Sequence, residues 1–104
     1  MEKVIVHYKV KPGWAEENEK LVRAVYLQLH EESPPGFSYA TYKLADGHTF
    51  VHVAIYPGEG KSPLTGLAAF KTFQAGITER CEEQPVVNQA MEIGSYSFGQ
   101  LTVK

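Results

Sequence analysis

The dipeptide Asp46-Gly47 stands between two runs of alternating side chains, Phe37 to Leu44 and Thr49 to Tyr56. A tight hairpin turn needs positive φ at its two central residues, which Asp-Gly supplies, so the pair predicts a two-residue hairpin and fixes its register. In that register Ala45 faces His48, Lys43 faces Phe50, Thr41 faces His52, Tyr39 faces Ala54 and Phe37 faces Tyr56, all on one side of the ribbon. The other side carries Ser38, Ala40, Tyr42 and Leu44 opposite Thr49, Val51, Val53 and Ile55. Neither side is polar enough to sit in water.

The flanking segments say what covers one of those sides. Val4, Val6, Tyr8 and Val10 alternate with Lys3, His7 and Lys9, which predicts a strand ended by Pro12-Gly13. From Trp14 to Glu32 the period lengthens: Trp14, Leu21, Val22, Val25 and Leu29 share a helical face, and Glu16/Lys20 and Glu19/Arg23 are i,i+4 pairs. Ser33-Pro34-Pro35-Gly36 cannot continue a helix. Ser62 reads as an N-cap with Pro63 at the first helical position, opening a helix with Leu67, Phe70, Gln74, Ile77 and Cys81 on one stripe, although Gly66 and Gly76 weaken it. Pro85 precedes a last strand, expected over Val86 to Phe98.

Strand, helix, strand, strand, helix, strand is the ferredoxin-like order of an α+β fold, a βαββαβ antiparallel sheet with both helices on one face. The second face then needs another cover. A second copy of the chain packed on Val51, Val53 and Ile55 supplies it, so a homodimer is expected.

Composition narrows the classes. A chain of 104 residues, 43% hydrophobic, suits a single domain over residues 1–104. A formal charge of -2 gives no basic footprint for nucleic acid. Cys81 has no second cysteine, the chain opens Met1-Glu2-Lys3 straight into a strand pattern, and no apolar run approaches the roughly 20 residues of a membrane helix. A cytoplasmic protein without a membrane partner is expected. The four histidines have no close carboxylate or cysteine partners, so no metal site is expected. Cys81 has no neighbouring base to make it a nucleophile. The glycines of Pro57-Gly58-Glu59-Gly60 lack the Lys-Ser/Thr ending of a phosphate loop and read as a lid or a plain connection.

Three segments carry a family resemblance over nearly the whole chain: Tyr8 to Gly13, Pro35 to Val51, and Phe70 to Ile77. Together they resemble the antibiotic biosynthesis monooxygenase family of dimeric α+β barrels, a fold that also serves heme-degrading enzymes, isomerases, cyclases and proteins of no known activity. The resemblance implies a ligand cavity inside each subunit, between sheet and helices, lined by the aromatic face of the hairpin. The hairpin is most similar to that of quinone-forming monooxygenases of aromatic polyketides, through Pro35-Gly36-Phe37, Ala40-Thr41-Tyr42 and Asp46-Gly47. His52 stands where those enzymes have asparagine, and Tyr56 where they have tryptophan. Val6 and Gln74 stand where heme-degrading members have an asparagine and an iron-binding histidine, which disfavours heme.

In the family's proposed mechanism a phenol anion reduces dioxygen directly, so the resemblance implies no cofactor. His52 is then the candidate base, with an ordinary pKa near 6.5, held by Thr41 across the ladder and joined by Tyr56. Tyr8, Phe37, Tyr39, Phe50 and Gln74 are the expected substrate-binding residues around a small aromatic ligand. A single mid-strand histidine is more often a hydrogen-bonded structural residue than a catalyst. A cofactor-free monooxygenase, a cyclase or isomerase on the same fold, and a non-catalytic ligand-binding dimer all remain open.

Overall fold

The hairpin register holds in the structure, a computed structural model that describes residues 1–58 and 61–98. Strand β2 (Ser38–Lys43) pairs antiparallel with β3 (Thr49–Tyr56), setting Thr41 opposite His52, Tyr39 opposite Ala54 and Lys43 opposite Phe50. The turn differs from expectation. Only Gly47 has positive φ, at 87°, and Leu44 N–H donates to the Thr49 carbonyl at 2.8 Å, so residues 45–48 form a longer loop. Asp46 causes this: its carboxylate accepts from the backbone N–H of His48 at 2.9 Å and of Thr49 at 2.8 Å, and from the Thr49 hydroxyl. An Asx turn replaces positive φ at Asp46. The same bonds, that of the Thr49 side chain foremost, hold the Asp46 carboxyl at about 2. His48, in the loop, bonds through Nδ1 to the Val10 carbonyl at 2.7 Å.

β1 (Glu2–Val10) pairs antiparallel with β3, placing Val6 opposite His52, and the four-stranded order is β2-β3-β1-β4. That is the ferredoxin-like arrangement. Helix α1 (Ala15–Glu32) buries Asn18, Val22 and Val25, and ends where Ser33 turns left-handed at φ 45° ahead of Pro34. Trp14 sits just outside the helix and is 41% exposed, so it does not join the packed stripe as expected.

The second helical segment is broken rather than continuous. The Ser62 hydroxyl accepts from Leu64 N–H at 3.2 Å and caps a 3₁₀ turn over Pro63–Gly66, followed by α2 (Ala68–Ala75) and, after Gly76, the single turn α3 (Ile77–Arg80). Glycine interrupts at both breaks, as its low helix propensity favours. Cys81 therefore leaves the expected helix stripe and opens β4 (Cys81–Gln89). This strand begins before Pro85, not after it, and ends at Gln89 rather than Phe98. β4 is an edge strand, and Pro85 falls where the register slips between the Lys9/Glu83 and His7/Val86 pairs. A proline at an edge bulge removes no ladder bond, so it marks no boundary here. Glu59 and Gly60, part of the expected lid or connection, lie outside the described residues.

The core sits between the sheet and α1 and α2, built from Tyr8, Val10, Val22, Val25, Phe50, Leu64, Leu67, Phe73 and Cys81. Ile5, Val51, Val53 and Ile55 alternate to the opposite face of the sheet, where they are half-buried and stand outside that core.

Candidate functional site

The period-two alternation that buries Phe50 and Ala54 also turns His52 toward the helices, where it is 5% exposed. A buried imidazole needs partners for both nitrogens. Nε2 meets the Tyr8 hydroxyl at 2.8 Å; Nδ1 meets the Tyr39 hydroxyl at 2.7 Å and Thr41 Oγ1 at 3.0 Å. Thr41 is in turn bonded to the Tyr26 hydroxyl at 2.8 Å. On the other side Asn18 Nδ2 donates to the Tyr8 hydroxyl at 2.9 Å, and Arg80 Nε donates to Asn18 Oδ1 at 3.1 Å. Arg80 also donates to the Phe73 carbonyl at 2.7 Å and lies over the Phe73 ring, 5.1 Å from its centroid.

The bond directions follow from chemistry. Arginine only donates, so the Asn18 oxygen must accept and its NH₂ group must face Tyr8. Tyr8, 2% exposed, then has His52 Nε2 as the protein acceptor for its own proton, and an unpaired buried hydroxyl would be costly. The imidazole is thereby assigned its proton on Nδ1, donated to Tyr39 and Thr41. The chain of donors runs one way, from Arg80 through Asn18, Tyr8 and His52 to Tyr39.

Burial shifts the ionisation of the titratable members. It pushes the His52 imidazole down to about 4, so the ring is neutral near pH 7, raises the Tyr8 and Tyr39 hydroxyls well above their usual range, and also raises that of Tyr26. Asn18 and Arg80 oppose this at Tyr8, and Thr41 opposes it at Tyr39. Arg80, 3% exposed, is lowered by burial and has no carboxylate in salt-bridge range among the described residues.

Beside this network lies a cavity of about 260 Å³ between the sheet and the second helical segment. Val6, Tyr8, Tyr39, His52 and Tyr56 line it from the sheet, and Phe70, Phe73, Gln74 and Ile77 from the helical side. Exposed Gln74 and Val87 stand at its edge. The size lies just under the roughly 300 Å³ at the lower end of small-molecule sites, and the wall is apolar with a few hydroxyls, which suits a small planar ligand.

Of the residues the sequence singles out, Tyr8, Tyr39, His52, Tyr56 and Gln74 come together on this wall. Three do not. Phe50 is 2% exposed and supports Tyr8 from behind, their rings stacked at 5.6 Å. Phe37 faces a separate hollow with Tyr26, Leu29, His30, Ser33 and Pro34, because it precedes β2 and stacks on the outer side of Tyr39. Thr41 bonds His52, as its ladder position implies, but lies behind it rather than on the cavity wall.

Asn18, Tyr26 and Arg80 escaped sequence reasoning. Asn18 carries a signal that was readable: it falls four residues before Val22 on the apolar stripe of α1, where a polar side chain has no reason to be unless it is bonded. Arg80 carries none, since its placement depends on the helix break at Gly76. Among the described residues no group of three or more His, Cys, Asp or Glu is placed to hold a metal ion, and no helix is long and apolar enough to cross a membrane.

No protein-family model and no curated protein matches the chain. Solved structures do match in shape. A structure from Nitrosomonas europaea, provisionally named an antibiotic biosynthesis monooxygenase, superposes with a TM-score of 0.72 at 19% identity, covering 88% of this chain and 89% of its own. One from Caulobacter crescentus, named in the same provisional way, gives 0.70 at 20% identity, with 89% and 90% covered. One from Bordetella bronchiseptica gives 0.62 at 15% identity, with 89% and 97% covered. At such identities the likeness concerns backbone shape, and in that respect this chain has the ferredoxin-like α+β fold of the antibiotic biosynthesis monooxygenase-like proteins.

Proposed function

We propose that the protein is a cofactor-independent monooxygenase that converts a small phenol to the corresponding quinone, or a quinol to a hydroxyquinone, working as a homodimer. The observation that supports it is the cavity of about 260 Å³, walled by aromatic rings, whose polar lining includes Tyr39, His52 and Tyr8 in one bonded array. In the reaction the phenol ring gives four electrons to dioxygen; one oxygen atom becomes the new quinone carbonyl and the other leaves as water with two hydrogens from the substrate. All the electrons come from the substrate, so no bound redox group is required. The protein supplies orientation, dryness and hydrogen bonds to the developing anion. His52 acts on the phenol oxygen through Tyr39, since both of its nitrogens are engaged by hydroxyls.

The test is oxygen uptake by the purified protein with a panel of phenols and hydroquinones, combined with isotopically labelled dioxygen. One label atom in the quinone and no hydrogen peroxide is the expected result. Uptake no faster than the uncatalysed rate across the panel would overturn the reading. A second reading, a ligand-binding dimer without turnover, draws on one observation: no imidazole nitrogen is free to serve directly as a base on the cavity wall.

A further inference from the structure

We infer that the cavity takes its aromatic ligand as the preformed oxyanion, a phenolate received by the Tyr39 hydroxyl, and that Arg80 and Asn18 are positioning residues that aim the donor chain toward it. This deepens the reading above and rests on it for the aromatic class of the ligand.

Three observations carry it. The donors are directional: Arg80 to Asn18 at 3.1 Å, Asn18 to Tyr8 at 2.9 Å, Tyr8 to His52 at 2.8 Å and His52 to Tyr39 at 2.7 Å. Because Tyr39 accepts from His52 Nδ1, its own proton is turned outward, to the cavity it lines or to neighbouring Thr41. A ligand oxygen that only accepts can take that proton and has no O–H of its own to place, whereas a phenol's proton needs a further acceptor on a largely apolar wall.

The second observation is the charge. Arg80 is a buried cation without a carboxylate in salt-bridge range among the described residues, and it lies over the Phe73 ring, which also lines the cavity. Buried charges are normally paired, and an anion in the cavity that Phe73 lines adds a favourable charge to the longer-range one of Glu17. Gly76 keeps that position open: a Cβ there would stand 3.1 Å from Arg80 NH1.

The third is the absence of opposing charge. The titratable groups on the described wall are Tyr8, Tyr39, Tyr56 and His52; burial keeps His52 neutral near pH 7 and raises the Tyr8 and Tyr39 hydroxyls, with Tyr26 and Cys81 behind them and Glu17 the carboxylate that acts on Arg80 from α1. Among the described residues no carboxylate and no lysine lines the cavity to repel or satisfy the ligand first.

The experiment uses 4-nitrophenol, whose ionised form is yellow, and nitrobenzene, which lacks the oxygen. Wild-type protein is expected to bind 4-nitrophenol as its phenolate, so that colour develops at a lower pH than in free solution, and to bind nitrobenzene at least about tenfold more weakly. Tyr39→Phe should remove that preference, bringing the affinity for 4-nitrophenol down to that for nitrobenzene. Arg80→Gln should weaken 4-nitrophenol binding about tenfold and raise the pH at which the bound dye colours, with partial rescue by Arg80→Lys. Should Arg80→Gln fail to fold, ¹⁵N spectra of the wild-type histidine decide: the Nδ1–H form of His52 is expected. Binding of the neutral dye, equal affinity for nitrobenzene, no saturable binding at millimolar dye, or an Nε2–H imidazole would each overturn the proposal. Phenolate binding without oxygen uptake would sink the monooxygenase reading and leave this one standing.

Discussion

β1 and β3 each present two faces, and the two could hardly differ more. Toward the helices the strands bring Tyr8 and His52 into a buried array in which every hydroxyl, amide and ring nitrogen has a partner. Toward the other side the intervening residues, Ile5, Val51, Val53 and Ile55, are aliphatic, half-buried and outside the core. A strand's alternation thus separates chemistry from packing one residue at a time. A slip of one register position would put His52 on the aliphatic face and Val53 into the cavity.

The comparison can be broken from either side. The largest effect is expected at Val53→Asp, which places a charge in the apolar face that we propose a second copy covers. A cost of several kcal/mol and loss of the dimer are expected by analytical ultracentrifugation. A stable wild-type monomer at micromolar concentration would remove that proposal.

On the buried side, His52 links stability to acid. Its folded pKa of about 4 lies below the unfolded value near 6.5, so above that value both states are neutral and the ring contributes no pH dependence. As pH falls from about 6.5 toward 4, the unfolded chain binds a proton that the folded one refuses, and about 3 kcal/mol of stability is lost. Thermal or urea unfolding across that window should show the decline. His52→Gln should flatten it, and an unchanged slope would place the imidazole in water instead.

The next effect in size belongs to Asn18→Ala, which strands the Tyr8 oxygen and Arg80 Nε without their partner. A loss of about 1–3 kcal/mol is expected by urea denaturation, against a few tenths at an exposed α1 position such as Arg23. A smaller effect is expected at the hairpin loop. Gly47→Ala forces a Cβ into a left-handed conformation at φ 87°, costing about 1–2 kcal/mol at most, with the cavity untouched.

How much of this was legible in the sequence follows from which interactions are local. The Thr41/His52 register was readable because Asp46-Gly47 and the two alternating runs leave one pairing that keeps like faces together, and it survived even though Asp46 built a longer loop than expected. The last strand was misplaced because Pro85 looks like a boundary in the chain, yet sits harmlessly at an edge bulge in the sheet. His52, Tyr39 and Tyr8 were legible as a set. What they do to one another was not, since the donor chain is oriented by Arg80, more than sixty residues from Asn18 along the sequence and brought there only by the break at Gly76.

The central claim is that the helix-covered face holds the ligand. The most direct test is a titration of isotopically labelled protein with 4-nitrophenol, followed by chemical shifts of the ring and methyl groups. The account predicts saturable changes at Tyr39, His52 and Phe73 with the methyls of Val51, Val53 and Ile55 unmoved. Changes confined to those three aliphatic residues, or none at all, would contradict it.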